Sequence, residues 1–229
     1  MDYKTLKELV RQGEGKHLEF KLKTNHPEKI VREIVAFANT DGGKLLIGIG
    51  DDRSIKGLKY ADEDEYILIK AIEKYCSPDI DYAIERVHIG DEYEVLVFTI
   101  RPSKDKTHYV WQEPETILSA SIYSTPTSKI QTAPKRTYIR VADKSIQASK
   151  EMREILRRGR QHRDVQFIYG EKEQKLVQYL GENGNVTVDS FAMIANISRK
   201  MASKTLILLV LANVLRVQPD EITDKFVMA

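Results

Sequence analysis

Cysteine and tryptophan are nearly absent from this 229-residue chain, which has one of each. A single cysteine, Cys76, excludes a disulfide within the chain and cannot build a zinc site by itself. The longest apolar run, residues 205–214, has about half of the length that a membrane-spanning helix needs. We therefore expect a soluble protein of the reducing cytoplasm with no membrane partner.

A clear excess of one charge is also missing, because 36 lysines and arginines face 34 aspartates and glutamates, for a net charge of +2. Bulk electrostatics therefore do not predict a polyanionic partner, and any nucleic-acid contact has to come from local clusters of charge. Hydrophobic residues make up 41% of the chain and charged residues 31%. This composition is typical of a folded protein rather than a disordered one.

Helical and alternating patterns predict an α+β module over residues 1–156. Helices are predicted at residues 2–12, 27–39 and 62–75, and strands at residues 16–22, 44–49, 83–89, 93–100 and 136–141. Gly90 and Asp91 predict a hairpin turn between two of the strands. Strands interspersed with helices, together with a hairpin, predict a mixed β-sheet flanked by helices.

The remainder of the chain predicts a basic linker over residues 157–170 and a small, mainly helical domain over residues 171–229. This domain is expected to contain a helix from residue 171, a short strand at 185–188, helices capped by Asp189 and Ser198, and a hairpin around residues 218–221. Helix, strand, helix, helix and hairpin follow one another in a winged helix. We therefore predict a winged-helix-like domain.

Four separated sequence blocks carry a resemblance to a known family. Glu-Phe-Lys at residues 19–21 precedes a helix that ends in Ala-Phe-Ala-Asn, a Gly-Gly turn and an Ile-Gly-Ile strand at residues 47–49. Arg-Pro-Ser at residues 101–103 and Tyr-Ile-Arg-Val at residues 138–141 follow in order, with Ala142 where glycine is usual. Over residues 6–156, the chain resembles the Schlafen/AlbA-like domain family. The resemblance implies a nucleic-acid-binding function.

The same resemblance raises the hypothesis of a metal site. In Schlafen nucleases, two glutamates and an aspartate hold a divalent metal that cleaves RNA, and the matching residues here are Glu14 and Glu19 with Asp51 or Asp52. Three converging carboxylates suit Mg²⁺ or Mn²⁺. Alternatively, Glu19 pairs with a basic residue such as Lys21, Lys44 or Arg53, and Glu14 is solvated.

Gly42 and Gly43 allow two interpretations. They could form a loop whose backbone N–H groups approach a phosphate. They could equally form a tight helix-to-strand turn that requires a positive φ, which the turn chemistry favours. No Walker lysine motif accompanies them, so ATP binding is not predicted.

Basic and aromatic residues predict where a nucleic acid would bind. Arg136, Tyr138 and Arg140 are expected to share one face of the last front strand, and the N-terminal turn of the helix after Ser198 is expected to meet DNA. The full candidate set is Lys16, Lys21, Lys23, Lys44, Arg136, Tyr138, Arg140, Arg157, Arg158, Arg160, Arg163, Arg199, Lys200 and Lys204.

The function predicted first is therefore nucleic-acid binding, as a DNA-binding transcriptional regulator. The alternatives are a divalent-metal-dependent endoribonuclease and a protein-interaction or dimerisation module. Since Schlafen cores place two such lobes side by side, the resemblance also implies a homodimer that rebuilds the groove. The sequence leaves the preference for DNA or RNA open.

Overall fold

In the computed structural model of this protein, residues 1–104, 107–111, 135–159 and 167–229 are described. The helices are α1 (Tyr3–Gln12), α2 (Pro27–Asn39), α3 (Ala61–Tyr75), α4 (Lys150–Gly159), α5 (Glu171–Asn183), α6 (Val188–Ile194) and α7 (Arg199–Leu211). The strands are β1 (Leu18–Lys21), β2 (Gly43–Ile47), β3 (Cys76–Ser77), β4 (Tyr82–Ile89), β5 (Tyr93–Ile100), β6 (Tyr109–Trp111), β7 (Lys135–Arg136), β8 (Tyr138–Val141), β9 (Lys144–Gln147), β10 (Leu215–Gln218) and β11 (Lys225–Met228).

The centre of the front module is a four-stranded sheet in the order β1-β2-β5-β4. Strands β1 and β2 are parallel and are joined by α2, whereas the other pairs are antiparallel. One face of the sheet packs with Phe37 of α2 and Leu68 of α3. The opposite face packs with Leu6 and Val10 of α1. The predicted mixed sheet flanked by helices is therefore confirmed.

The predicted strand at residues 136–141 is wrong in one respect, because it divides at Thr137. Strand β7 pairs with β6, whereas β8 pairs with β9. Tyr138 and Arg140 were expected to share an open face with Arg136, but they are only 6% and 4% exposed. The cause is that β8 packs against α2, which leaves only Arg136 on the surface.

Two predicted buried faces also differ from the structure. Alternation along residues 16–22 predicts that Leu22 shares the buried face of Leu18 and Phe20, but it is exposed, since the strand ends at Lys21. The spacing of apolar residues in α3 predicts Ile67, Ile69 and Ile72 among its buried residues; Ile72 is buried, whereas Ile67 is exposed and Leu68 is fully buried instead. Because several apolar residues follow one another directly in this helix, its sequence does not show which side of the helix is buried.

Asn39, the last residue of α2, joins three segments of the front module. Its amide nitrogen donates to the carbonyl oxygens of His108 at 2.8 Å and Tyr138 at 3.0 Å. Its amide oxygen accepts from the backbone N–H of His108 at 2.9 Å. Asn39 and His108 are both only 2% exposed, so these bonds satisfy backbone groups that water does not reach.

The C-terminal region has the predicted helices and hairpin, but the predicted strand at residues 185–188 is reduced to a single bridge, because α6 already begins at Val188. Helices α5, α6 and α7 precede the hairpin of β10 and β11, and Val186 forms a bridge to Phe226 of that hairpin. The side chain of Ser198 caps α7, as predicted. The cap of α6 is Thr187, not Asp189, because the Thr187 hydroxyl accepts from the N–H of Ser190.

Helix α4 packs against hydrophobic residues of the front module and of the C-terminal region. Its Met152 packs with Ile139 and Ile146 of the front module, and its Ile155 packs against the core of the C-terminal region. The predicted domain boundary at residue 156 lies inside this helix, which continues to Gly159. Among the described residues, no helix is long and apolar enough to cross a membrane.

Candidate nucleic-acid interface

The buried guanidinium of Arg140 organises the Glu-Phe-Lys strand. Its Nη2 donates to Glu19 Oε2 at 2.7 Å and to the carbonyl of Gly15 at 2.9 Å. Its Nη1 donates to Glu33 Oε2 at 2.9 Å, and the plane lies over the ring of Phe37. Arg140 therefore fastens β8 to β1 and α2, and it is not on a surface where nucleic acid could bind.

Glu33 is the member of this cluster that the sequence did not reveal. Burial, and then the neighbouring carboxylate of Glu19, raise the pKa of Glu33. The hydroxyl of Ser145 and the charges of Arg140 and Lys21 act in the opposite direction. No spacing rule could have found Glu33, because its partner Arg140 is 107 residues away in the chain.

The four candidate carboxylates are not brought together. Glu19 is buried between Arg140 and Lys21, which each bond one of its oxygens. Glu14 accepts from the backbone N–H of Phe20 at 2.9 Å, and Asp52 accepts from Ser54 in a turn. Asp51 is exposed beside it.

A divalent metal does not fit this arrangement. Among the described residues, no group of three or more histidines, cysteines, aspartates and glutamates could hold a metal ion. Glu19, the central ligand of the hypothesis, directs its oxygens at a guanidinium and an ammonium rather than at a cation site. The alternative prediction, that Glu19 pairs with a basic residue such as Lys21, agrees with the structure.

Gly42 and Gly43 form the tight turn between α2 and β2. Gly42 has a φ of +73°, and a side chain there would meet Ile100 O at 2.7 Å. Its N–H donates to the carbonyl of Phe37 at 2.9 Å, and a side chain at Gly43 would meet the Phe37 ring at 2.5 Å. Because the Gly42 N–H is used within the fold and both glycines face packed atoms, the phosphate-approach interpretation does not hold.

The candidate lysines of the front module do not form one unpaired cluster. Lys16 lies 2.5 Å from Asp41, Lys21 pairs with Glu19, and Lys44 donates to the hydroxyl of Thr99 at 2.8 Å. Lys23 is exposed and lines a separate depression. Exposed pairs such as Lys16 with Asp41 contribute little to stability, but they do reduce the local positive field.

Two other titratable residues of the front module have structural positions. Burial raises the pKa of the Cys76 thiol to about 12, so the reactive thiolate is suppressed near neutral pH. His108 is buried, and its Nδ1 lies 2.7 Å from the carbonyl oxygen of Pro78. Neither residue faces a surface.

A strongly basic surface lies between α4 and α7. The two helices enclose an open cleft of about 710 Å³ with Ile207 and Leu208 among its lining residues. The buried Ser203 hydroxyl donates to Glu151 Oε1 at 2.6 Å and fixes the helices against each other. The charged residues that line this α4–α7 cleft are Lys150, Arg153, Glu154, Arg157, Arg158, Lys200 and Lys204.

Six cations against one anion give the cleft a local excess of five positive charges, which is more than the net charge of the whole chain. Glu154 partly neutralises Arg157, at 2.7 Å, and Arg158, at 4.0 Å. No carboxylate among the described residues pairs with Lys150, Arg153, Lys200 or Lys204. Cations that the protein leaves unneutralised in one concave surface are available to an anionic ligand.

The structure thus brings together four of the candidate residues, Arg157, Arg158, Lys200 and Lys204, from two different helices. The candidate set predicted from the sequence did not include Lys150 or Arg153, which also line the cleft. The signal was present, because residues 150, 153 and 157 repeat at helical spacing and share one face of α4. Arg199 lies outside the cleft and pairs with Asp189 at 2.6 Å, and Arg160 and Arg163 lie outside the described residues.

Solved structures that resemble this chain include two of low sequence identity. One is the solution NMR structure of the N-terminal domain of a Nitrosomonas europaea protein described as related to the ATP-dependent DNA helicase RecG. It is 18% identical, with a TM-score of 0.37, and the match covers 55% of this chain and 91% of that one. The other is the crystal structure of the DIP2311 protein from Corynebacterium diphtheriae, which is 16% identical with a TM-score of 0.42. That match covers 87% of this chain but only 33% of the other.

A family comparison agrees with the sequence blocks identified above. The model described as Schlafen, AlbA_2 matches residues 14–149. The match begins at Glu14 and ends just before α4, so it includes the whole Arg140 cluster. Because this match covers more than half of the chain, the chain belongs to the Schlafen, AlbA_2 family.

Proposed function

We propose that this protein binds nucleic acid, and that its α4–α7 cleft grips the phosphate backbone of duplex DNA. The observation that carries the proposal is the local excess of five positive charges in one concave surface. Lysine and arginine side chains bind phosphate oxygens without reading sequence, and they gain affinity by releasing counterions. Membership of the Schlafen, AlbA_2 family supports the same general function.

The C-terminal region supports a regulatory role within this proposal. Its three helices and hairpin, with the bridge from Val186 to Phe226, follow the order of a winged helix. In winged-helix regulators the helix equivalent to α7 contacts DNA. Here Lys200 and Lys204 of α7 face α4 across the cleft, so we propose that both helices contact the same DNA backbone.

RNA cleavage receives less support than binding. The carboxylates that a divalent metal would require are separated or already paired among the described residues. A binding function requires no such centre. Cleavage is nevertheless an outcome of the experiment below, because labelled RNA is incubated in the same series.

The experiment measures binding of the full chain to a short labelled duplex and to labelled tRNA over a series of salt concentrations, with Mn²⁺ or EDTA. With six contributing cations, we expect log Kd to change with log salt with a slope of about 5. Lys200→Glu with Lys204→Glu should weaken duplex binding at least tenfold and lower that slope by about 2. Mn²⁺-dependent RNA fragments would overturn the proposal in favour of a nuclease.

Matched variants distinguish a local effect from a general one. Lys4 is exposed on α1 and does not line the cleft. Lys4→Glu changes the net charge as each cleft substitution does, and it should leave duplex affinity nearly unchanged. If Lys4→Glu weakens binding as much as Lys200→Glu alone, the cleft is not the site.

A further inference from the structure

A second depression lies on the front module, and no cleft residue lines it. Its volume is about 620 Å³. It combines two exposed aromatic rings, Tyr60 and Tyr93, with two lysines, Lys23 and Lys59. Large aromatic side chains are more often buried than exposed, so two of them on the wall of one open depression indicate a binding surface.

The depression is built from three segments that hydrogen bonds hold together. The backbone of Leu58 exchanges hydrogen bonds of 2.7 and 3.0 Å with Glu94, which places Tyr60 near Tyr93 at the start of β5. Gly57, with a φ of +72°, lies so close to Tyr93 that a side chain there would meet the Tyr93 Cβ at 2.8 Å. The walls are therefore held in place before any ligand arrives.

The third segment contributes hydrogen-bonding groups. Asp64 Oδ1 accepts from the N–H and the hydroxyl of Thr24, which is only 4% exposed, and this fixes the loop that carries Lys23 and Asn25. Asp64 Oδ2 has no hydrogen-bond partner among the described residues. A carboxylate oxygen and the Asn25 amide in one aromatic-walled depression can pair with the N–H and carbonyl groups of a base edge.

The charge of this depression differs from that of the cleft. Lys23 and Lys59 are balanced by Glu63 and Asp64, so the depression has no excess charge with which to track a phosphate backbone. The Lys59 ammonium lies 6.0 Å from the centre of the Tyr60 ring, at the outer limit of a cation–π contact. A single nucleobase with its own phosphate matches this combination of rings, polar groups and flanking lysines better than a polyanion does.

We propose that the Tyr60–Tyr93 depression binds one unpaired nucleobase of a nucleic-acid strand, by stacking on the tyrosine rings and by pairing with Asn25 and Asp64. The inference rests on the proposed nucleic-acid-binding function and adds that the protein distinguishes an extruded base from a continuous duplex. The α4–α7 cleft then supplies affinity for the backbone, and the depression supplies selectivity for unpaired structure.

The test compares a labelled duplex with the same duplex carrying one bulged base. The full chain should bind the bulged duplex about tenfold more tightly, as expected for one stacked base. Tyr60→Ala with Tyr93→Ala should abolish this preference while leaving affinity for the continuous duplex unchanged. Tyr60→Phe with Tyr93→Phe should retain the preference, because phenylalanine preserves the ring.

Tyr66 supplies the matched control, since it is 63% exposed, as Tyr60 is, but does not line the depression. Tyr66→Ala should keep the preference for the bulge. The assignment is overturned if the native chain shows no preference, if Tyr60→Ala with Tyr93→Ala retains it, or if Tyr66→Ala loses it equally.

Two further arms separate this inference from the proposed function. Lys200→Glu with Lys204→Glu should raise the Kd for the bulged duplex and the Kd for the continuous duplex by the same factor, so that the ratio of the two Kd values is unchanged. A chain that binds the bulged strand but not the continuous duplex would support the depression and contradict the cleft. Titration with guanosine monophosphate and adenosine monophosphate, followed by NMR, tests whether the ligand is a free nucleotide. If the tyrosine resonances shift but the chain shows no preference for the bulged duplex, the proposal that the depression binds a base of a strand is overturned.

Discussion

The guanidinium of Arg140 and the carboxylate of Glu19 lie 2.7 Å apart, although 121 residues separate them in the chain. Both side chains are buried, and Arg140 also binds Glu33 and the backbone carbonyls of Gly15 and Leu18. A buried charge is stable only when its partners satisfy it completely. This pair therefore couples the last strands of the front module to its first strand.

Removal of the Arg140 charge should strongly destabilise the protein. Arg140→Met leaves the buried Glu19 carboxylate without its main partner, and we expect a loss of about 3–5 kcal/mol in the free energy of unfolding. Arg140→Lys should recover only part of this loss, because an ammonium cannot reproduce the forked hydrogen bonds. Urea denaturation measures both, and an Arg140→Met variant of native stability would disprove the structural role.

Glu33 should make stability depend on pH. Burial, followed by the charge of Glu19, raises the pKa of Glu33 above its ordinary value of 4.5. The folded protein therefore holds this proton more tightly than the unfolded chain does. The contribution of this proton to the free energy of unfolding is fully present below pH 4.5. It is lost as the pH rises through the higher pKa that Glu33 has in the folded protein.

Glu33→Gln isolates this effect, because glutamine has the same shape and does not ionise. The stability of Glu33→Gln relative to the native chain should increase as the pH rises from 4 to 7. Urea denaturation at a series of pH values measures the difference. A difference that is constant over this range would show that Glu33 does not titrate as its surroundings require.

The side chain of Asn39 should stabilise the fold through its hydrogen bonds to buried backbone groups, rather than through its own burial. Asn39→Ala removes the hydrogen bonds of the Asn39 amide to the N–H of His108 and to the carbonyl of Tyr138, in a region that water does not reach. We expect a loss of about 2–4 kcal/mol in the free energy of unfolding. Thr40→Ala is a suitable control, since the Thr40 hydroxyl donates to the carbonyl of Ala36 in the last turn of α2, and it should cost less than half as much.

Ala142 occupies a backbone conformation that favours glycine. Its φ is +52° in the turn between β8 and β9. Left-handed backbone costs a residue with a Cβ atom about 1–2 kcal/mol, whereas the greater freedom of unfolded glycine offsets about 0.5–1 kcal/mol. Ala142→Gly should therefore raise the melting temperature slightly, and Ala142→Val should lower it. Calorimetry of the two variants tests both directions.

Much of the secondary structure follows from the sequence alone. Asp2 and Gly13 define α1, Pro27 begins α2, and Gly90 turns the β4–β5 hairpin, because each of these residues has a local backbone or capping preference. The four sequence blocks were likewise sufficient to indicate the Schlafen, AlbA_2 family, which the comparison over residues 14–149 confirms.

Tertiary structure alone decided which charged residues are available to bind an anionic ligand. Arg140 and Lys200 both occur in basic stretches, yet one is buried against carboxylates and the other is exposed in the α4–α7 cleft. Periodicity assigns a residue to a face of its own strand or helix, but it does not state what packs against that face. Partners such as Glu19 and Arg140 are far apart in the chain, so their pairing depends on how the helices and strands pack. The location of the candidate site depends on the same packing.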